Sequence, residues 1–318
     1  MHRIEIHSTI FALFLLLSSS WCPIPLSATG QNEQPEWCKA LPRSEYKSLQ
    51  RVAINDLWFE VYKVAPDTFA IYEPHQAEEV ISYLIAGKEK ALLFDTGMGI
   101  GDIRKVTAQL TKLPVIVLNS HTHNDHVGGN WQFETIYGVD SDFSRQNAKG
   151  SSEDAQAELA PGQICGELPA NFSPETYRTR PWKISHFIHE GEIIDLGGRI
   201  IEILFTPGHT PDALVLHDRG NKLLFTGDTY YPATIWLYRP ETDFPAYAKS
   251  IAHLAALAPQ VKIVLGAHNI PVAKPSVLLN LVPAFAKVSA GSAPCHPDSP
   301  GKEICEADHF SFLLRAAP

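Results

Sequence analysis

From residue 57 onward, apolar residues come in short runs rather than in long helical stripes. "LWFEVYKV", "TFAIYE", "ISYLIAG" and "ALLFDTG" follow one another with turn-formers such as "GKEK" between them, and together they predict an antiparallel sheet. "GDIRKVTAQL" changes the rhythm, because Ile103, Val106 and Leu110 recur at helical spacing. "PVIVLNS" is then a buried strand. A second set, "EIIDLG", "RIIEILFTPG", "DALVLHD" and "KLLFTGD", is joined by the hairpin-like turns "LGGR" and "DRGNK". Over 244–258, Phe244, Tyr247, Ile251, Leu254 and Ala258 share one helical face behind Asp243 as N-cap. Another buried strand, "VKIVLGAH", follows, and a helix begins near Ser276. Two strand-rich halves, each with its own helices, imply an α/β fold of two sheets packed face to face with helices outside.

Three stretches fall outside this pattern. Residues 140–182 are rich in Ser, Gln, Glu, Pro and Gly and read as a long surface insertion. Residues 29–52 are polar without sustained periodicity and read as an N-terminal arm. Before them, Arg3, the apolar block "IFALFLLL" at 10–17 and a Ser- and Pro-containing stretch ending in "LSA" have the form of a signal peptide over 1–28, with cleavage expected after Ala28. Eight unbroken apolar residues are too few for a bilayer span, which takes roughly 20. The expectation is an exported, periplasmic or secreted protein with no membrane span once the signal is removed. Cys22 lies in a poor context for lipid attachment.

Export changes how the cysteines are read. Cys38, Cys165, Cys295 and Cys305 form an even set for an oxidising compartment, where pairing is the expected state. Three connectivities are possible. The short separation across "HPDSPGKEI" favours Cys295 with Cys305, which leaves Cys38 to tie the arm to the insertion; 291–318 would then be a disulfide-clipped tail behind a catalytic domain at 53–290. No pair has the C-x-x-C spacing of a zinc site. The net charge of −9, with no cluster of Lys or Arg, argues against a nucleic-acid partner.

The chemistry is concentrated at strand ends. "VIVLNSHTHNDH" ends in His121, His123, Asp125 and His126; "IEILFTPGHT" ends in His209; "LLFTGD" ends in Asp228; "IVLGAH" ends in His268. Seven nitrogen and oxygen donors converging on one rim could hold two metal ions. Imidazole with carboxylate suits Zn²⁺ in open catalytic sites, while iron and manganese stay open as alternatives for the same donors. His121 and His123 are two apart, so an extended turn points both side chains one way. Gly128 and Gly129 let the backbone fold back tightly behind them.

The H-x-H-x-D-H string, followed in order by "TPGHT", "TGD" and "GAH" and preceded by "LLFDTG" at 92–97, resembles the metallo-β-lactamase superfamily over roughly residues 55–290. The resemblance implies an αββα sandwich of two mixed β-sheets with outer helices. It implies that His121, His123 and His209 hold one zinc ion, that Asp125, His126 and His268 hold the second, and that Asp228 bridges them. Asp95 would brace the metal loop. A hydroxide held between the ions would attack an acyl carbonyl, with Asp125 orienting it and passing its proton to the leaving group.

An aspartate at 228 resembles the glyoxalase II and lactonase branches, where β-lactamases of the zinc type have a cysteine or a non-ligand. The expected substrate is therefore a small-molecule ester, lactone or thioester, with a β-lactam as the alternative that export favours. Tyr231 stands where acyl-homoserine lactonases carry a substrate-contacting tyrosine, and its phenol could donate to developing oxygen charge; Tyr230 beside it, or simple packing, competes for that role. A different class on the same fold is a mononuclear-iron oxidoreductase of the persulfide dioxygenase type, against which the complete seven-residue set argues. His75 reads as a solvated loop histidine, and Trp131, Trp236 and Tyr238 as rim aromatics. Oligomeric state is open.

Overall fold

The computed structural model describes residues 34–316; the apolar leader, Cys22 and the expected cleavage point lie outside them. The first half supplies β1 (Gln50–Val52), β2 (Glu60–Ala65), β3 (Thr68–Tyr72), β4 (Ile81–Ala86), β5 (Ala91–Phe94), β6 (Val115–Leu118), β7 (Ile136–Val139) and β8 (His186–Ile188), which form one sheet in sequence order. Pairing is antiparallel from β1 to β5 and parallel from β5 to β8. The second half supplies β9 (Ile193–Asp195), β10 (Ile200–Phe205), β11 (Leu214–Asp218), β12 (Leu223–Gly227), β13 (Ile235–Leu237) and β14 (Ile263–Gly266), and five of these make a second sheet in the order β14-β12-β11-β10-β9.

Helices cover the outer faces. α1 (Ile103–Leu110), α2 (Asn124–Val127), α3 (Asp142–Asn147) and α4 (Glu153–Ala157) belong to the first half, α5 (Phe244–Leu257) and α6 (Ser276–Ser289) to the second. Alternation along the strands sorts the apolar residues into layers. Phe94, Leu118, Ile203, Leu216, Phe225 and Leu265 fill the space between the sheets. Their neighbours point the other way: Leu93 and Val117 pack under α1, while Leu204, Val215, Leu224 and Val264 pack under α5 and α6. Burial on both faces is why these strands read as continuous apolar runs rather than alternating ones. The sandwich is the fold expected.

Two regions differ from the expected boundaries. β1 lies within the stretch read as an arm, where it closes the edge of the first sheet. The C-terminal stretch is not a loose tail: β15 (Cys295–Pro297), β16 (Lys302–Ala307) and β17 (Phe310–Arg315) join β13 in a third, four-stranded sheet. Phe312 and Leu314 are buried against the second layer of helices. β13 is only three residues long, too short to carry a readable period. Both favoured cysteine pairings are present, Cys295–Cys305 across the β15–β16 pair and Cys38–Cys165 between arm and insertion.

Strand direction gathers the chemistry. β5 and β6 are parallel, and β10, β12 and β14 run the same way in their sheet because two antiparallel steps through β11 restore the direction and β14 pairs parallel with β12. Their C-terminal ends, with Asp95, the histidine loop, His209, Asp228 and His268 just beyond, meet at one end of the sandwich.

The histidine loop is pressed against the loop after β5. Gly128 has ordinary helical dihedrals, so close approach and not its φ demands glycine: a Cβ there would lie 2.1 Å from the Met98 carbonyl oxygen and 2.6 Å from the Gly99 nitrogen. Gly128→Ala is expected to cost about 1–3 kcal/mol through overpacking against backbone, read as a lower urea midpoint; a wild-type midpoint would show that the two loops are not in contact.

Candidate metal centre

Four elements deliver the cluster. The turn after β6 carries His121 and His123, and α2 begins one residue later with Asp125 and His126 on its first turn. His209 follows β10, Asp228 follows β12 and His268 follows β14. All seven expected residues come together, six of them in two sets of three with Asp228 between. Donor atoms of His121, His123 and His209 lie within 4.8 Å of one another, and so do those of Asp125, His126 and His268. Asp228 stands between the sets, with Oδ2 at 3.7 Å from His209 Nε2 and Oδ1 at 3.3 Å from His126 Nε2 and 3.1 Å from His268 Nε2.

Each imidazole is held by its outer edge. His126 Nδ1 donates to Asp95 Oδ2 at 3.0 Å, His209 Nδ1 to the Trp236 carbonyl at 2.8 Å and His268 Nδ1 to the Glu78 carbonyl at 2.7 Å. His121 Nδ1 meets the Ser120 hydroxyl at 3.0 Å, and His123 Nε2 donates to Glu241 Oε1 at 2.8 Å. Such bonds fix the tautomer and aim the free nitrogen inward. Asp95 has the bracing place expected of it, since its other oxygen accepts the Ser120 N–H at 2.7 Å.

In the first set the inner nitrogens crowd against one another. His121 Nε2 lies 2.9 Å from His123 Nδ1 and 3.2 Å from His209 Nε2, and His209 Nε2 lies 3.1 Å from His123 Nδ1. His123 and His209, whose outer protons go to Glu241 and the Trp236 carbonyl, present lone pairs to the point that His121 Nε2 also faces. In the second set, buried His126 Nε2 and Asp228 Oδ1 lie close to Asp125 and His268, at 2.8 and 3.1 Å, yet form no hydrogen bond of acceptable geometry among the described residues. A buried polar atom left without a partner costs about 1–3 kcal/mol, so an ordinary core would not keep this arrangement. A divalent cation in each set would satisfy every one of these atoms, and the residues fit that group.

Charge is divided across the centre. Burial, and the neighbouring imidazoles, hold His121 well below the ordinary histidine range, and burial brings His209 down to about 4. On the other side burial opposes ionisation of Asp228, yet His268 and His126 beside it hold its carboxyl at about 2. Burial likewise opposes a charged His268, but Asp228 raises it to about 9. One set is therefore neutral nitrogen and the other is anionic oxygen with imidazole.

Tyr231 is buried beside this second set, its ring centre 4.7 Å from that of His268. Its oxygen accepts the Trp236 N–H at 3.0 Å, which leaves its own proton to donate. Tyr230 instead packs into the helix layer with Ile235 and Tyr247. His75 is half-buried rather than solvated: Nδ1 meets the Cys165 carbonyl at 3.0 Å and its ring leans on Trp58, so it fastens the insertion. Trp131 is exposed under the Arg180 guanidinium, away from the ligands. Trp236 serves through its backbone, and Tyr238 stacks on Lys302 at 3.8 Å.

Sequence reasoning misses three supports. Asp212 is buried and accepts from the Thr122, Ser144 and Thr210 hydroxyls, tying the histidine loop, the insertion and the His209 turn together; its place three residues after His209 is the one signal that could have found it. Glu241 and Glu78 carry no local pattern. They arrive from loops distant in sequence.

A sandwich with this centre defines a metal-dependent hydrolase. Residues 78–268 match the metallo-beta-lactamase superfamily, and the chain belongs to that family. Among its relatives, acyl-coenzyme A thioesterase MBLAC2 of Homo sapiens is 24% identical over 200 residues, 58% of this chain and 71% of that protein. Hydroxyacylglutathione hydrolase GloC of Haemophilus influenzae is 30% identical over 161 residues, 50% of this chain and 68% of that protein. A metallo-beta-lactamase from Pontibacter korlensis has the same fold, with a TM-score of 0.52 and 19% identity over 72% of this chain and 99% of its own.

Glu241 is the one carboxylate orienting His123, and it sits on the rim rather than in the core. Glu241→Gln is expected to weaken metal binding about ten- to a hundred-fold without altering the thermal midpoint of the metal-free protein, measured by competition with a chelating dye; unchanged affinity would show that His123 is positioned without it.

Proposed function

We propose that the protein is an exported dizinc hydrolase that cleaves acyl bonds, with thioesters as the leading substrate class. The observation that carries this reading is Asp228, whose two oxygens reach both donor sets. A carboxylate spanning two sets suits a pair of hard or borderline cations. The named activities of the thioesterase and hydroxyacylglutathione hydrolase relatives support the choice of thioester among acyl substrates. Export is supported by the apolar block at 10–17 and by two cysteine pairs, which persist in an oxidising compartment.

His121, His123 and His209 would hold one zinc ion and Asp125, His126 and His268 a second, which would supply a water of lowered pKa and a Lewis acid for the acyl carbonyl. The chain's own residues do the rest. Asp125 approaches His126 and His268 through Oδ2, at 2.8 and 3.7 Å, which leaves Oδ1 to accept a proton and return it to the leaving group. Tyr231, whose ring lies beside His268 and whose oxygen accepts from Trp236, retains its own proton to donate to negative charge developing on oxygen. Asp95, Trp236, Glu78 and Glu241 keep the imidazoles from turning as that charge moves. Positioned groups of this kind lower the barrier because no reorganisation is needed at the moment of reaction.

Purified mature protein is expected to carry about two zinc equivalents and to hydrolyse a thioester faster than a lactone, an aryl ester or a cephalosporin. Preferential cephalosporin turnover, or one iron with no hydrolysis, would overturn the reading. Asp228→Ala should retain fewer than two metals and lose most activity; two retained metals at wild-type rate would remove the bridging role. Tyr231→Phe should lower kcat by about ten-fold or more with metal content unchanged, and an unaltered kcat would leave Tyr231 as packing.

A further inference from the structure

Asp212 is a buried carboxylate with no part in the chemistry above. Its partners among the described residues are three hydroxyls. Oδ2 accepts from Thr122 Oγ1 at 2.6 Å and from Ser144 Oγ at 2.8 Å, and Oδ1 accepts from Thr210 Oγ1 at 2.8 Å. A buried carboxylate keeps its place only while its acceptors are satisfied. The three donors therefore fix where it sits, and it in turn fixes them.

The location of those hydroxyls gives the group a role. Thr122 stands between His121 and His123, and Thr210 directly follows His209. Two of the three bonds thus end on residues joined covalently to all three histidines of the first donor set. No neighbour in sequence of Asp125, His126 or His268 bonds to Asp212 among the described residues. The carboxylate is connected to one set and not to the other.

The connection leaves little freedom. The Thr122 hydroxyl donates to Asp212 and accepts from Asn147 Nδ2 at 3.0 Å, so its side chain is held from two sides. Ser144 and Asn147 both belong to α3, which brings the insertion into the same network. Two residues beyond Asp212, the Leu214 N–H donates to the Ser120 carbonyl at 2.8 Å and ties the same two segments through the backbone. His121 and His123 come from one turn and His209 from another, so their nitrogens meet at one point only if the offset between the turns is fixed. A site held loosely by about 1 Å loses much of its function.

We propose that Asp212 is a positioning residue that sets the affinity of the all-histidine set for its metal ion and leaves the set of Asp125, His126 and His268 unaffected. The inference rests on the reading that both sets hold metal. It makes the filling of the two sets separable, because a chain without this carboxylate would keep one metal far more tightly than the other.

Zinc affinity of each set is measured by chelator competition in the full chain, and crystals equilibrated at a free zinc level between the two dissociation constants assign the sets by their anomalous peaks. Asp212→Asn keeps the shape but offers one acceptor oxygen where three hydroxyls use two. It should weaken zinc binding at His121, His123 and His209 about ten- to a hundred-fold and leave the other peak in place. Thr122→Val, which removes only the hydroxyl between the two histidines, should give the same one-sided loss, and Thr122→Ser should restore wild-type affinity. This second pair carries the test if Asp212→Asn does not fold, as read by the melting transition of the metal-free protein. Unchanged affinity in both sets would overturn the proposal, and so would equal weakening of both, the mark of a merely structural role. Wild-type protein with zinc in neither set would overturn the two-metal reading itself, and this proposal with it.

Discussion

The Asp228 carboxylate faces three imidazoles that arrive from three different strand ends, and the arrangement of the centre follows from holding that group in place. A buried carboxylate is stable as an anion only beside positive charge or strong donors. Here the neighbours are His126, His209 and His268, all within 3.7 Å. Those rings cannot rotate away, because Asp95, the Trp236 carbonyl and the Glu78 carbonyl hold their outer nitrogens. The centre is thus a set of donors aimed inward and braced from outside, which is the form a metal site needs before the metal arrives.

The bracing reaches far along the chain. Trp236 lies on β13, which pairs with β17, so the C-terminal sheet stiffens the carbonyl that holds His209. Glu78 and Glu79 sit on the loop after β3; Glu79 is tied to Arg43 of the arm and accepts from the Tyr72 hydroxyl and the Asn269 amide beside His268. The Cys38–Cys165 bridge and the His75–Cys165 contact draw the arm, that loop and the insertion together. The insertion, far from being a passive elaboration, contributes Ser144 to Asp212 and walls a cavity beside His123.

How much of this is legible in the sequence depends on how local the signal is. The ligands are legible because each follows an apolar strand within a few residues, and the fold supplies the rest by running those strands in common directions. The disulfides are legible in number, while the pairing found is the favoured one of three that the sequence leaves open. β13 is not legible, because a three-residue strand carries no period and its pairing partner lies about 75 residues away. Glu241 escapes for a similar reason: a charged residue on a rim loop looks like any solvated charge until the loop is folded against a site. His75 shows the converse, a residue in a polar context whose burial comes entirely from a distant segment.

The proposed chemistry depends on two metal ions lying in the two donor sets with Asp228 between them. Anomalous diffraction at the zinc edge from crystals of the loaded protein tests it directly. The account predicts two peaks, one enclosed by His121, His123 and His209 and one by Asp125, His126 and His268, with the Asp228 carboxylate in contact with both. A single peak, or a pair with Asp228 turned away, would contradict it.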